Sequence, residues 1–152
     1  QPNALTKDEK LGMNLFYSEK TNCSGCHSGF NFTNYSFENN GLYQEYPDEG
    51  RKRLTGKEED EALFKVPSLR NIALTAPYMH DGSFQTLSDV VRFYNQGGFN
   101  NPLLDSLIKP LSLTEAEEKD LVSFLRSLTS SQVNRVVDRA LQEFSPNSVS
   151  MD

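Results

Sequence analysis

The only two cysteines of this 152-residue chain stand in Cys23-Ser24-Gly25-Cys26-His27, and one of its two histidines directly follows the second of them. C-x-x-C-H is the signature by which a c-type haem is attached to a polypeptide. Two thiols add across the vinyl groups of the porphyrin, and the neighbouring imidazole falls beneath the iron as its proximal ligand. A chain that satisfies this pattern has to fold around one large flat cofactor.

Other chemistries fit the same residues less well. A structural zinc ion wants four ligands, generally from two separated pairs. The chain could offer Cys23, Cys26, His27 and its other histidine, His80, yet consecutive Cys26 and His27 make poor tetrahedral partners. A thioredoxin-like C-x-x-C sits at a strand-to-helix junction of a βαβ pattern, and no such alternation is visible. With no further cysteine, a disulfide framework does not compete.

A formal charge of −6 argues against a nucleic-acid partner, which would call for a basic patch. The length is that of one domain able to bury an ordinary core, expected over residues 1–144 with a tail over 145–152. No apolar run approaches the ~20 residues that span a bilayer. Gln1-Pro2-Asn3 does not open a signal peptide, so the chain is expected to be mature or a fragment. Because c-type haem is attached outside the cytoplasm, the motif implies an exported, periplasmic protein. Sequons beginning at Asn22, Asn31 and Asn34 crowd the haem motif and read better as Asn-rich loop than as glycosylation sites.

Periodicity predicts a mainly helical, all-α domain. Thr6-Lys7-Asp8-Glu9 reads as a capping box opening a helix through Leu11, Leu15 and Phe16 and ending near Ser18. A short helical turn should carry Cys23, Cys26 and His27. From Gly29 to about Asp60 the chain is rich in Asn, Gly and Tyr and lacks periodicity, a long irregular excursion. Its charge runs, Arg51-Lys52-Arg53 and Glu58 to Glu61, read as solvated loop faces. Order should resume at Ala62 to Pro67, with Pro67 discouraging helix before it. A second helix starts at Thr86, carries Leu87, Val90, Val91 and Tyr94, and stops at Gly97-Gly98. A third opens with a capping box from Thr114 to Glu117 and presents Leu121, Val122, Phe124, Leu125 and Leu128. Ser131 to Phe144 forms a fourth amphipathic pattern.

The stretch from Phe64 through Val66-Pro67-Ser68-Leu69-Arg70-Asn71 to Ala76-Pro77-Tyr78-Met79-His80-Asp81-Gly82, continuing through Thr86-Leu87 and Val90-Val91 into Tyr94, resembles the bacterial di-haem cytochrome c peroxidase family, which includes MauG. The likeness runs from about Leu11 to Leu128. It implies a cytochrome c-like helical domain around one covalent haem, equivalent to the second, C-terminal haem domain of such proteins. There the second haem takes electrons from a small donor, a cytochrome or cupredoxin, and relays them, while hydrogen peroxide reacts at the other haem. The first domain, with its peroxide-handling side chains, has no counterpart here, so this segment alone is expected to be a poor peroxidase. The alternative is a free-standing mono-haem electron carrier, and the abrupt start at Gln1 favours a fragment.

The sixth iron position decides between reaction with peroxide and electron relay. Met79 would supply a soft thioether, and Tyr94 a hard anionic oxygen that favours ferric iron. The resemblance places Tyr94 where family members carry the distal ligand, a methionine in the peroxidases and a tyrosine in MauG-like members. Met79 then packs near the haem and remains the alternative ligand. The resemblance also makes His80 a hydrogen-bonding haem-pocket residue beside Asp81 and Gly82, makes Arg70 a propionate partner through its planar fork, and gives Thr75 and Pro77 backbone carbonyls for a calcium ion. Part of that calcium site belongs to the absent domain.

Overall fold

Hydroxyl-capped helices frame the molecule. In the computed structural model, which describes residues 4–133, 135, 136 and 139, α1 spans Lys7–Phe16. Thr6 Oγ1 accepts the Glu9 N–H at 3.3 Å, and the Glu9 carboxylate accepts the Thr6 N–H at 2.7 Å. Both halves of the expected capping box are therefore made, satisfying two of the helix's orphan donors. A one-turn α2 holds Cys23–Cys26. The helix α4, Leu87–Gln96, starts where Thr86 Oγ1 accepts the Asp89 N–H at 3.1 Å. It stops at Gly97, whose φ of +86° suits glycine and whose Cβ would lie 2.5 Å from the Pro110 nitrogen. The last long helix, α5, spans Glu115–Ser127 behind a second complete capping box, with Thr114 and Glu117 in the two roles.

The core forms where α1 crosses α5. Gly12 permits that crossing: a Cβ there would sit 1.9 Å from the Asp120 carbonyl oxygen and 2.9 Å from Phe124 Cβ. Beside it the rings of Phe16, Phe32 and Phe124 pack with centroids 5.2 to 6.2 Å apart. Leu87 and Val91 of α4 and Leu121, Val122 and Leu125 of α5 complete the cluster. Each such side chain contributes roughly 1.5–3 kcal/mol of burial. Outside the cluster, Lys20 Nζ meets Glu117 Oε1 at 2.6 Å, tying the loop after α1 to the start of α5.

The excursion after the haem motif is irregular, as its composition predicts, but it is not without structure. It contains β1, Phe37–Glu38, which pairs antiparallel with β2, Phe64–Lys65. A helical turn α3, Lys52–Thr55, and a 3-10 turn, Glu58–Asp60, lie between them. The two charge runs do more than face water. Lys52 pairs with Glu58 at 2.6 Å and Glu61 at 3.2 Å, Arg51 meets the buried Asp60 at 3.4 Å, and the Arg51 guanidinium lies 4.5 Å above the Phe37 ring. Opposite signs at the two ends of one loop close it.

Among the described residues the regular structure is helical apart from one two-stranded ribbon, which is compatible with the expected helical class. A second 3-10 turn spans Ile72–Leu74. The tail and most of the amphipathic pattern from Ser131 to Phe144 lie outside the described residues. Among the described residues no helix is long and apolar enough to cross a membrane.

Candidate functional site

The turn α2 puts both thiols and the imidazole on one short element, with the His27 N–H donating to the Cys23 carbonyl at 2.9 Å. Burial raises the thiol of Cys23. For Cys26, burial first and then the carboxylates of Asp105 and Glu38 push the thiol up to about 11. Both sulfurs are therefore protonated at neutral pH. A catalytic dithiol needs the opposite shift, so the electrostatics disfavour the thioredoxin-like alternative.

The His27 ring is oriented by backbone. Its Nδ1 lies 3.0 Å from the Phe32 carbonyl oxygen, a pure acceptor, which selects the tautomer protonated on Nδ1 with its lone pair on Nε2. Burial lowers the imidazole pKa against the contrary pull of the Phe32 and Pro67 carbonyls, so the ring is neutral at pH 7. The loop that supplies this carbonyl is pinned from outside. Arg70 Nε donates to the Phe30 carbonyl at 2.8 Å, and its guanidinium lies 4.4 Å above the Phe30 ring and 4.9 Å from the Phe32 ring.

Tyr94 and Met79 reach one common group. Asn40 Nδ2 donates to Tyr94 Oη at 3.2 Å and lies 3.6 Å from Met79 Sδ. Tyr94 is carried by α4, whose next residue, Asn95, makes three bonds across to the start of α5: to the Leu113 carbonyl at 3.1 Å, from the Leu113 N–H at 2.8 Å and to Glu118 at 2.7 Å. Met79 sits at φ +72° on the turn closed by the Tyr78–Phe84 bridge. Burial raises the Tyr94 phenol, Asn40 lowers it, and the sulfurs of Cys26 and Cys23 and the phenol of Tyr46 raise it further. The two cysteines and Tyr94 thus share one electrostatic neighbourhood.

The remaining expected residues, Arg70, Thr75, Pro77 and His80, are exposed. His80 is exposed, and its described contacts are between rings: it stacks on Phe64 at 3.8 Å and lies 6.2 Å from Tyr46 and 6.3 Å from Tyr43. Its neighbour Asp81 accepts a hydrogen bond from the Tyr43 hydroxyl. Arg70 clamps the loop after the haem motif, so a propionate would have to share it. Thr75 and Pro77 are exposed, and among the described residues no group of three or more His, Cys, Asp or Glu could hold a metal ion.

Sequence reading missed Asn40, the Phe32 carbonyl and Tyr46. The first two act through a contact made by folding, and only the Asn-rich composition of the excursion hinted at them. The donor set fits a covalent haem: two protonated thiols on one turn, a neutral imidazole with Nε2 free, and a phenol and a thioether gathered by one amide.

No protein-family model matches the chain. It is 39% identical over 127 residues to the methylamine utilization protein MauG of Methylorubrum extorquens, covering 82% of this chain and 35% of that protein. It is 37% identical over 134 residues to the cytochrome c551 peroxidase of Nitrosomonas europaea, covering 86% of this chain and 36% of that one. Among solved structures, a MauG-like protein associated with microbial copper homeostasis superimposes with a TM-score of 0.80 at 35% identity, over 86% of this chain and 49% of its own. The di-haem peroxidase BthA from Burkholderia thailandensis shares the fold, with a TM-score of 0.69 at 24% identity over 44% of its length. The chain thus spans between about a third and a half of the proteins it matches. Relatives of this identity, matched across more than four-fifths of its residues, place the chain in the MauG and cytochrome c peroxidase family.

Proposed function

We propose that the chain is the C-terminal, electron-relaying haem domain of a periplasmic MauG-like di-haem peroxidase. Cys23 and Cys26 would hold the haem by thioether bonds, and His27 Nε2 and Tyr94 would be the side chains offered to its iron. Haem c, when bound there, supplies a one-electron couple. The chain's own groups do the rest. The Phe32 carbonyl keeps the Nδ1 proton and fixes the ring plane, the core rings beside it exclude water, and Tyr94 closes the remaining position so that peroxide is handled at the haem of the preceding domain. Electrons come from a small cytochrome or cupredoxin and leave through that domain. The backbone carbonyls of Thr75 and Pro77 would contribute to a calcium site completed by that preceding domain.

The observation that carries this reading is the convergence of Tyr94 and Met79 on Asn40, with Tyr94 electrostatically coupled to both cysteines. A free-standing mono-haem carrier is less well supported, since the chain matches MauG and peroxidases over only part of their length. The test starts with protein from a host able to attach haem, scored by pyridine haemochrome and intact mass. One haem per chain is expected; bare polypeptide mass rejects the reading. Tyr94→Phe should then change the ferric spectrum strongly, and Met79→Leu only slightly. The opposite pattern would reassign the ligand.

A further inference from the structure

Asn40 is anchored before it touches either candidate ligand. Its Oδ1 accepts the Leu42 N–H at 3.2 Å. A backbone N–H can only donate, so this bond settles which end of the amide is oxygen. The NH2 end must then face Tyr94 and Met79. Tyr46 adds to the anchor, taking the same Leu42 N–H at 2.8 Å and donating to Asn39 Oδ1 at 3.0 Å. Asn39 is the most buried polar residue described, 1% exposed, and its own Oδ1 accepts the Gly41 N–H at 2.9 Å. The donor that meets the two side chains is therefore fixed by the loop and cannot turn into an acceptor.

The two side chains answer that donor differently. A phenol oxygen is a full acceptor for that donor and meets it at 3.2 Å. A thioether sulfur is a weak acceptor and lies at 3.6 Å. Tyr94 also stands on a helix held by Asn95, whereas Met79 stands on a turn at positive φ.

We infer that Asn40 is a positioning residue that selects Tyr94 over Met79 as the side chain closing the haem site. This rests on the haem-domain reading above and goes beyond it, because it names what decides between the two ligands. Asn40→Asp keeps an oxygen for the Leu42 N–H and removes both donors; Asn40→Ala removes the amide altogether. Each haem-loaded variant is compared with the native protein by resonance Raman for the iron–phenolate signature, by magnetic circular dichroism for thioether ligation, and by reduction potential.

The expected result is loss of at least half of the phenolate signature in both variants, with a thioether-ligated fraction appearing. That fraction should vanish when Met79→Leu is added. An unchanged phenolate signature with an unchanged potential in Asn40→Asp overturns the inference while leaving Tyr94 as ligand. If Tyr94→Phe in the otherwise native protein leaves the ferric spectrum untouched, both the ligand assignment and the inference fall. Should Asn40→Ala not fold, Asn40→Asp, which preserves the turn, decides alone.

Discussion

The crossing of α1 and α5 and the segment from His27 to Gly82 are built on different physics. The crossing is held by burial: Phe16, Phe32 and Phe124 in mutual contact, a glycine at the closest approach, and hydroxyl caps at the helix starts. The segment is held by side chains bonding to backbone, as where Thr33 Oγ1 donates to the Val66 carbonyl at 2.7 Å and Ser68 Oγ donates to the Asn31 carbonyl at 2.6 Å. Among the described residues seven non-glycine residues adopt positive φ, and five of them, Phe32, Tyr35, Ala62, Asn71 and Met79, lie in this segment. A scaffold made by burial tolerates surface change. A site made by point contacts is specified one bond at a time.

The largest effect is expected at the scaffold. Phe124→Ala should cost about 3–5 kcal/mol in urea denaturation; a loss under 1 kcal/mol would mean that the ring cluster is not the centre of stability. Gly12→Ala should follow, at about 1–3 kcal/mol or more, because its new methyl meets backbone that cannot move aside without parting two helices. Gly29→Ala provides the contrast. Nothing lies within 4 Å of a Cβ there, so only its φ of +69° opposes the change, at about 1 kcal/mol. Equal losses at the two glycines would erase the distinction between packed and merely strained positions.

Thr33→Val tests the segment's own fastening. The side chain is 5% exposed, and its loss strips a donor from the Val66 carbonyl and an acceptor from the Tyr35 N–H. About 1–3 kcal/mol should be lost. Thr114→Ala, a cap on the scaffold, should cost about 1 kcal/mol. If the cap costs more than the buried hydroxyl, the segment is less tightly specified than its hydrogen bonds indicate.

The smallest effect concerns acid. The Tyr43 hydroxyl, ahead of smaller contributions from Ser83 and His80, holds the Asp81 carboxyl down from 3.8 to about 2. A depressed carboxylate stabilises the fold above its unfolded pKa, and that contribution disappears as pH falls through the folded value. Asp81 is exposed, so the gain is small, present above about pH 4 and gone near pH 2. Tyr43→Phe should move the Asp81 titration, followed by carboxyl NMR shifts, upward toward the ordinary carboxylate range. A curve that stays in place would show that Tyr43 is not its partner.

The comparison also marks what the sequence could reveal. Both capping boxes, the Thr86 start and the Gly97 stop are local patterns, and each appears where the residues announce it. The turn bearing Cys23, Cys26 and His27 is equally local. Gly12 was silent, because its meaning depends on Asp120 and Phe124, more than a hundred positions away. So was Asn40, whose partners Met79 and Tyr94 stand 39 and 54 positions on. The paired charge runs look like solvated faces in one dimension, since nothing in the chain between them says that Lys52 will turn back on Glu58 and Glu61.

Phe32 belongs to both regions at once. Its ring lies among Phe16 and Phe124 while its carbonyl, five positions beyond His27, accepts the imidazole N–H. Any loosening of the hydrophobic interior is therefore felt as a rotation of the His27 ring, with no messenger in between. Variants selected only for thermal robustness would, through this one residue, also change how that imidazole is held.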